Sequence, residues 1–178
     1  VPLAAAIAEA ATDRDVDASF LTLRERLRRL APIDAYPLPT GLRATLRPYQ
    51  TAGYGWLRQL GELGLGGVLA DDMGLGKTLQ VLALLLAEKE AGRSGPSLIV
   101  VPTSVLENWA REAARFTPDL KVVLYHGPSR KNDPEVERAD VLITSYALVR
   151  RDLEFHRART YHYVVLDEAQ LIKNALSE

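Results

Sequence analysis

The pattern of hydrophobic and polar positions changes character near residue 40. Val1 to Ala18 is rich in Ala and Asp and carries no strong period, which predicts a mobile lead-in. Phe20, Leu23, Leu27 and Leu30 then recur at helical spacing and predict an amphipathic helix over Ser19–Leu30. Pro32, Pro37 and Pro39 break the chain into a linker, so residues 1–40 read as lead-in and linker, the tail of an upstream domain. From Gly41 onward apolar runs and helical periods alternate. Pro48 opens a helix through about Leu63, because the first turn of a helix does not need its missing N–H. Gly67-Val68-Leu69-Ala70 reads as a short strand, followed by a glycine-bearing loop and a helix from Thr78 to Glu90. Ser97–Val101 is an all-apolar strand after its first residue. Ser104 with Glu107 three positions on predicts a capping box for a helix reaching Phe116. Further strands are expected at Lys121–Tyr125, Val141–Thr144 and Tyr163–Leu166. Continuous apolar strands separated by helices predict an α/β fold, a parallel sheet covered by helices on both faces, over residues 41–178.

Composition narrows the picture less. The chain has 178 residues, no cysteine and a formal net charge of −1. Disulfides and thiolate metal sites are thereby excluded, which fits a reducing compartment. No apolar run approaches the roughly 20 residues of a membrane span, so no membrane partner is expected. The opening stretch also lacks the basic start of a signal peptide. Val1 stands where a methionine would open a natural chain, so the sequence reads as part of a longer protein. Arginine supplies 17 of the 22 basic residues, spread along the chain, so overall charge does not select a nucleic-acid partner.

The chemistry sits in two segments. Asp71-Asp72-Met73-Gly74-Leu75-Gly76-Lys77-Thr78 lies where a predicted strand gives way to a helix. Glycines there let backbone N–H groups approach an anion closely, and the helix start adds its positive end. Lys77 is a point charge for the β- and γ-phosphates of a nucleotide, and the Thr78 hydroxyl is a ligand for Mg²⁺. The general pattern G-x-x-x-x-G-K-[ST] lacks its first glycine, since Asp71 stands there. Alternatively, Gly74-Leu75-Gly76 is only a turn before a helix. The second segment, Val164-Val165-Leu166-Asp167-Glu168-Ala169-Gln170, is an apolar strand ending in two carboxylates, at the sheet edge where parallel folds bind ligands. Asp167 suits Mg²⁺, directly or through water, and Glu168 suits the orientation of an attacking water. On its own such a pair could equally be the acidic start of a helix.

Taken in order, these segments resemble the Swi/Snf-type ATPases of the second helicase superfamily, over roughly Leu46 to Asn174. Leu46-Arg47-Pro48-Tyr49-Gln50, with Gly53 and Trp56-Leu57, is similar to the family's adenine-recognising segment. Gly66 through Gln80 is similar to its phosphate loop, in which an acidic residue before the Met-Gly-Leu-Gly core is characteristic. Pro102-Thr103-Ser104-Val105-Leu106-Glu107-Asn108-Trp109 resembles the segment that contacts the tracked DNA strand. Tyr125-His126-Gly127 and Ile143-Thr144-Ser145-Tyr146 follow in the family's order. Asp167-Glu168-Ala169-Gln170, then Ile172-Lys173-Asn174, matches the Mg²⁺ motif, with Gln170 where His is commoner and Asp72 where Glu is commoner.

The resemblance implies the first RecA-like lobe of an ATP-dependent double-stranded DNA translocase, a DNA-dependent ATPase acting with ATP and Mg²⁺. The implied nucleotide site comprises Gln50, Asp72, Met73, Gly74, Leu75, Gly76, Lys77 and Thr78, with Asp167 and Glu168 as metal carboxylate and water-orienting base. Pro102, Thr103, Ser104, Asn108, Thr144 and Ser145 are the implied nucleic-acid contacts, and Gln170 the implied coupling residue. A second RecA-like lobe of the same chain is the implied partner that brings arginines to the γ-phosphate, so these 178 residues are expected to hold half of an active site and to hydrolyse ATP poorly alone. The Gln170 form points to a bacterial, cytoplasmic and nucleoid-associated member; a eukaryotic one would be nuclear. An RNA helicase, a restriction-type motor subunit and a non-catalytic docking module are the other readings. Trp109 and Phe116 read equally as the buried face of their helix, Tyr49 as core or adenine stack, and His126 as structural.

Overall fold

The computed structural model describes residues 32–70, 74–93 and 95–172, with Thr22 and Glu25. The predicted helix over Ser19–Leu30, Asp71, Asp72 and Met73 of the loop, and Lys173 and Asn174 lie outside or largely outside the described residues. The chain divides into two compact units, one of Val1–Pro37 with Leu46–Gln80 and one of Leu38–Thr45 with Val81–Glu178.

In the first unit the chief element is α1 (Pro48–Leu63), which starts at the proline and stops at Gly64 in the left-handed conformation, φ 69°. Glycine adopts that conformation without a Cβ clash, so it ends helices well. Gln50 at the third helical position accepts the Arg47 N–H at 2.9 Å through Oε1, closing the open N-terminus. Tyr54 is fully buried, and its hydroxyl donates to the Pro37 carbonyl at 2.8 Å. A Cβ on Gly53 would fall 1.9 Å from Oε1 of the buried Gln80, at the start of the next helix, α2 (Lys77–Glu90), so this glycine leaves room for the Gln80 amide.

The second unit holds the sheet. Its strands are β1 (Ser97–Val101), β2 (Val122–Leu124), β3 (Val141–Ser145) and β4 (Val164–Leu166), all parallel, in the order β2-β3-β1-β4. Every residue of β1 and of β3 is buried. Alternate side chains separate to two cores. Ile99, Val101, Val141 and Ile143 pack with Leu82, Leu85 and Leu86 of α2 and with Trp109 and Ala113 of α3 (Leu106–Phe116). Leu98, Val100 and Leu142 pack on the other face with Tyr125 and Val136, joined by Tyr146 and Val149 of α4 (Tyr146–Arg151) and Phe155 of α5 (Leu153–Arg157). The α/β fold with both faces covered is the one expected from the apolar runs.

Two local expectations are corrected. Gly67–Ala70 forms no strand: a strand exists only by pairing its backbone, the run is four residues behind Gly66, and Val68 is 83% exposed. Ser104 does not cap a helix. Thr103–Val105 forms a 3₁₀ turn in which the Pro102 carbonyl takes the Val105 N–H at 3.0 Å, and α3 begins one residue later than the box requires, with no side-chain cap.

Candidate active site

The glycine loop is built within the first unit. Gly74 and Gly76 have φ of 81° and 75°, a region that side chains rarely tolerate, which turns the backbone sharply into α2. The Gly76 carbonyl accepts from Gln80 N at 3.3 Å, so Lys77 and Thr78 are the first residues inside the helix, where backbone N–H groups lack helical partners. Both side chains are half-buried. The loop is held from α1: Gln50 Nε2 donates to the Leu75 carbonyl at 3.0 Å, and the Tyr49 hydroxyl donates to the same oxygen at 3.2 Å. Gln50 is 7% exposed and engages both ends of its amide, leaving one N–H and one lone pair for anything else. Tyr49 is exposed on its helix, so it is not core.

The carboxylates belong to the second unit. Asp167 N donates to the Val100 carbonyl at 2.9 Å, which continues the ladder one residue past β4 and sets Asp167 at the C-terminal edge of the sheet. Its Oδ2 accepts from Trp109 Nε1 at 2.9 Å and its Oδ1 from Glu168 N at 3.1 Å. Its carbonyl accepts from the Tyr146 hydroxyl at 2.6 Å. Burial raises the pKa of that phenol, and the negative charges of Asp167 and Glu168 add to the rise. Glu168 follows with φ 52° and ψ 46°, the one non-glycine residue at positive φ among those described. Such conformations cost of order 1 kcal/mol and persist where neighbours over-determine them. Gln170 Nε2 donates to the Glu168 carboxylate, so the coupling and base candidates are joined directly.

The expected nucleic-acid residues separate into two groups. Thr103, Ser104 and Asn108 are exposed and Pro102 is half-buried, at the head of α3 just past the C-terminal end of β1. Thr144 and Ser145 are instead buried: the Thr144 hydroxyl donates to the Tyr125 carbonyl at 3.1 Å, and Ser145 Oγ accepts Leu148 N at 3.4 Å to cap α4. His126 is exposed and lines a cleft of about 630 Å³ with Arg130, Lys131 and Arg151. Phe116 is half-buried, while Trp109 is 4% exposed and part of the core. The contacts of Trp109 and Tyr146 with Asp167 were not foreseen from sequence. The available signal was general: a buried indole N–H or phenol needs a partner.

Both the glycine loop and the carboxylate pair lie within residues 49–178, which match the family model described as SNF2-related domain. The chain belongs to the SNF2-related family. Among SNF2-related proteins it is 47% identical over 161 residues to YwqA of Bacillus subtilis, provisionally named an ATP-dependent helicase/translocase, covering 86% of this chain and 18% of that protein. It is 41% identical over 179 residues to helicase SWR1 of Eremothecium gossypii, covering 94% of this chain and 12% of that one. The chain thus spans less than a fifth of these relatives. The Sulfolobus solfataricus SWI2/SNF2 ATPase core in complex with dsDNA superposes with a TM-score of 0.72 at 42% identity, over 78% of this chain and 30% of that one. That likeness places the parallel sheet within the SNF2 ATPase-core lobe. No helix among the described residues is long and apolar enough to cross a membrane.

Proposed function

We propose that residues 41–178 form the first RecA-like lobe of an ATP-dependent double-stranded DNA translocase, with residues 1–40 as lead-in and linker. The observation that carries this reading is the pair of left-handed glycines turning the backbone into α2 just before Lys77 and Thr78, in a chain of the SNF2-related family. Backbone N–H groups at that helix start, with the Lys77 ammonium, bind the phosphates of ATP. Gln50 and Tyr49 hold the loop, and the remaining amide N–H and lone pair of Gln50 recognise adenine.

The donors offered to Mg²⁺ are hard oxygens, the Thr78 hydroxyl and the Asp167 carboxylate, and this chemistry fits the ion. When bound, Mg²⁺ neutralises charge on the phosphate oxygens. Glu168 orients the attacking water and accepts its proton, and the hydrogen bond from Gln170 sets the carboxylate's rotamer. Efficient turnover requires a second lobe to supply arginines, which contribute about 10³–10⁵ in rate in this chemistry.

Duplex DNA is contacted at the head of α3. Helix-start N–H groups with the Thr103 and Ser104 hydroxyls and the Asn108 amide bind backbone phosphates, a mode indifferent to base sequence. Thr144 and Ser145 hold the end of β3 and the start of α4 rather than touch the nucleic acid. The similarity to an archaeal ATPase core in complex with dsDNA supports the choice of partner. The test is phosphate release by the full-length protein. Duplex DNA should stimulate it, Glu168→Gln should abolish it, and Thr103→Ala should reduce stimulation while basal hydrolysis and melting temperature hold. Better stimulation by single-stranded RNA than by duplex DNA would transfer the reading to an RNA helicase.

A further inference from the structure

The indole of Trp109 makes a contact that packing alone does not demand. Trp109 lies on the first turn of α3, is 4% exposed, and fills the core between that helix and the sheet. A phenylalanine would supply most of the same apolar contact. The indole adds one donor and no acceptor, and a buried donor needs a partner. Its partner is Asp167 Oδ2, 58 residues away in sequence, at 2.9 Å. Oδ1 is held at 3.1 Å by the N–H of Glu168, and the backbone of Asp167 is tied on one side to Val100 and on the other to the Tyr146 hydroxyl.

These bonds fix the carboxylate in both position and rotation. An ionised carboxylate has about four lone-pair directions. With one on each oxygen taken from inside the fold, two remain, on an oxygen pair that cannot swing about its Cβ–Cγ bond without breaking the indole bond. A preset carboxylate needs no reordering when a cation arrives, whereas a freely rotating one must be ordered at that moment.

We propose that Trp109 is a positioning residue for the cation-binding carboxylate Asp167, acting through its indole N–H rather than through its bulk. The inference rests on the assignment of Asp167 to Mg²⁺ made above. Outer-shell hydrogen bonds to metal ligands typically govern about 10–100-fold in metal affinity.

The test separates the N–H from the ring. In the full-length protein, fluorescent ADP is titrated with saturating Mg²⁺ and with EDTA, and the ratio of the two affinities is the Mg²⁺ gain. Trp109→Phe should cut that gain about tenfold, with the affinity in EDTA unchanged and the melting temperature lowered by only a few degrees for the lost bond and ring volume. An unaltered gain overturns the inference, and so does an equal loss with and without Mg²⁺, which marks a packing role. If Trp109→Phe does not accumulate folded, 3-benzothienylalanine at position 109 keeps the tryptophan shape while replacing N–H by sulfur, and the same two outcomes decide. Asp167→Asn tells the two readings apart. If it leaves the gain intact, the assignment of Asp167 to the metal fails. If it abolishes the gain while the position-109 variants do not, only the part given to Trp109 fails.

Discussion

Replacing Gln50 by alanine tests how the glycine loop is held. The side chain is buried and makes two bonds at once, to Arg47 N at 2.9 Å and to the Leu75 carbonyl at 3.0 Å. A net hydrogen bond contributes about 0.5–1.5 kcal/mol, and a lost helix cap costs about 1 kcal/mol. The groups left behind are not deeply buried, since Arg47 is exposed and Leu75 half-buried, so water recovers part of each. The expected loss is therefore about 1–3 kcal/mol, which for a chain of this size lowers the melting temperature by roughly 2–10 °C. The amide also presses on the loop, because a Cβ on Gly76 would lie 2.4 Å from Gln50 Nε2. Losing about 1 kcal/mol of that anchorage weakens ADP binding about fivefold. Gln50→Glu divides the two effects. It keeps an acceptor for Arg47 N but sets a carboxylate oxygen against the Leu75 carbonyl, so the melting temperature should fall less than the ADP affinity. Calorimetric melts and titration of fluorescent ADP read both quantities. Wild-type melting and wild-type ADP affinity in Gln50→Ala would refute the anchoring argument.

Gly53→Ala should destabilise by about 1–3 kcal/mol in a denaturant melt, because crowding Gln80 outweighs the roughly 1 kcal/mol that alanine gains in a helix. Asp152→Ala should lower the melting temperature sharply. It removes the carboxylate that Arg130 Nε and Lys131 Nζ hold at 2.6 and 2.8 Å, and whose pKa the Arg130 hydrogen bond above all depresses. The double change Asp152→Asn with Arg130→Met should recover part of the loss, since no buried charge is then left unpaired. His156 has its pKa lowered, chiefly by burial, with Arg159 lowering it further and Asp152 opposing. The unfolded chain therefore takes up this proton first, so stability is full above about pH 6.5 and falls on acidification by at most about 1.4 kcal/mol per pH unit. His156→Phe should flatten that part of the stability–pH curve.

What could be read from sequence was whatever local chemistry decides. The limits of α1 follow from Pro48 at one end and Gly64 at the other, and β1 from an apolar run with covered faces. The glycine turn before Lys77 and the pair Asp167-Glu168 at the end of β4 could be located because glycines ahead of a helix and carboxylates after an apolar run are local patterns. The failures arise where a neighbour decides. Gly67–Ala70 is apolar enough for a strand, but strand structure depends on pairing that composition does not encode. Ser104 has the right spacing to Glu107, yet Pro102 and Val105 close a tighter turn first. Thr144 and Ser145 stand side by side at the end of a predicted strand, and sequence does not say what their hydroxyls bond. Only the burial of β3 shows that one bonds a neighbouring strand end and the other caps α4. The bond from Trp109 to Asp167 joins residues 58 apart and has no local signature.

Lys77 and the glycine loop are proposed to bind the phosphates of an adenine nucleotide. That binding is tested most directly by titrating fluorescent ADP and GDP into the wild-type protein and Lys77→Ala. A charge-assisted bond is worth about 1.5–3 kcal/mol, so Lys77→Ala should bind ADP at least about tenfold more weakly, and the wild type should prefer ADP to GDP. Equal ADP binding by the wild type and Lys77→Ala would mean that Lys77 and the loop do not hold the phosphates.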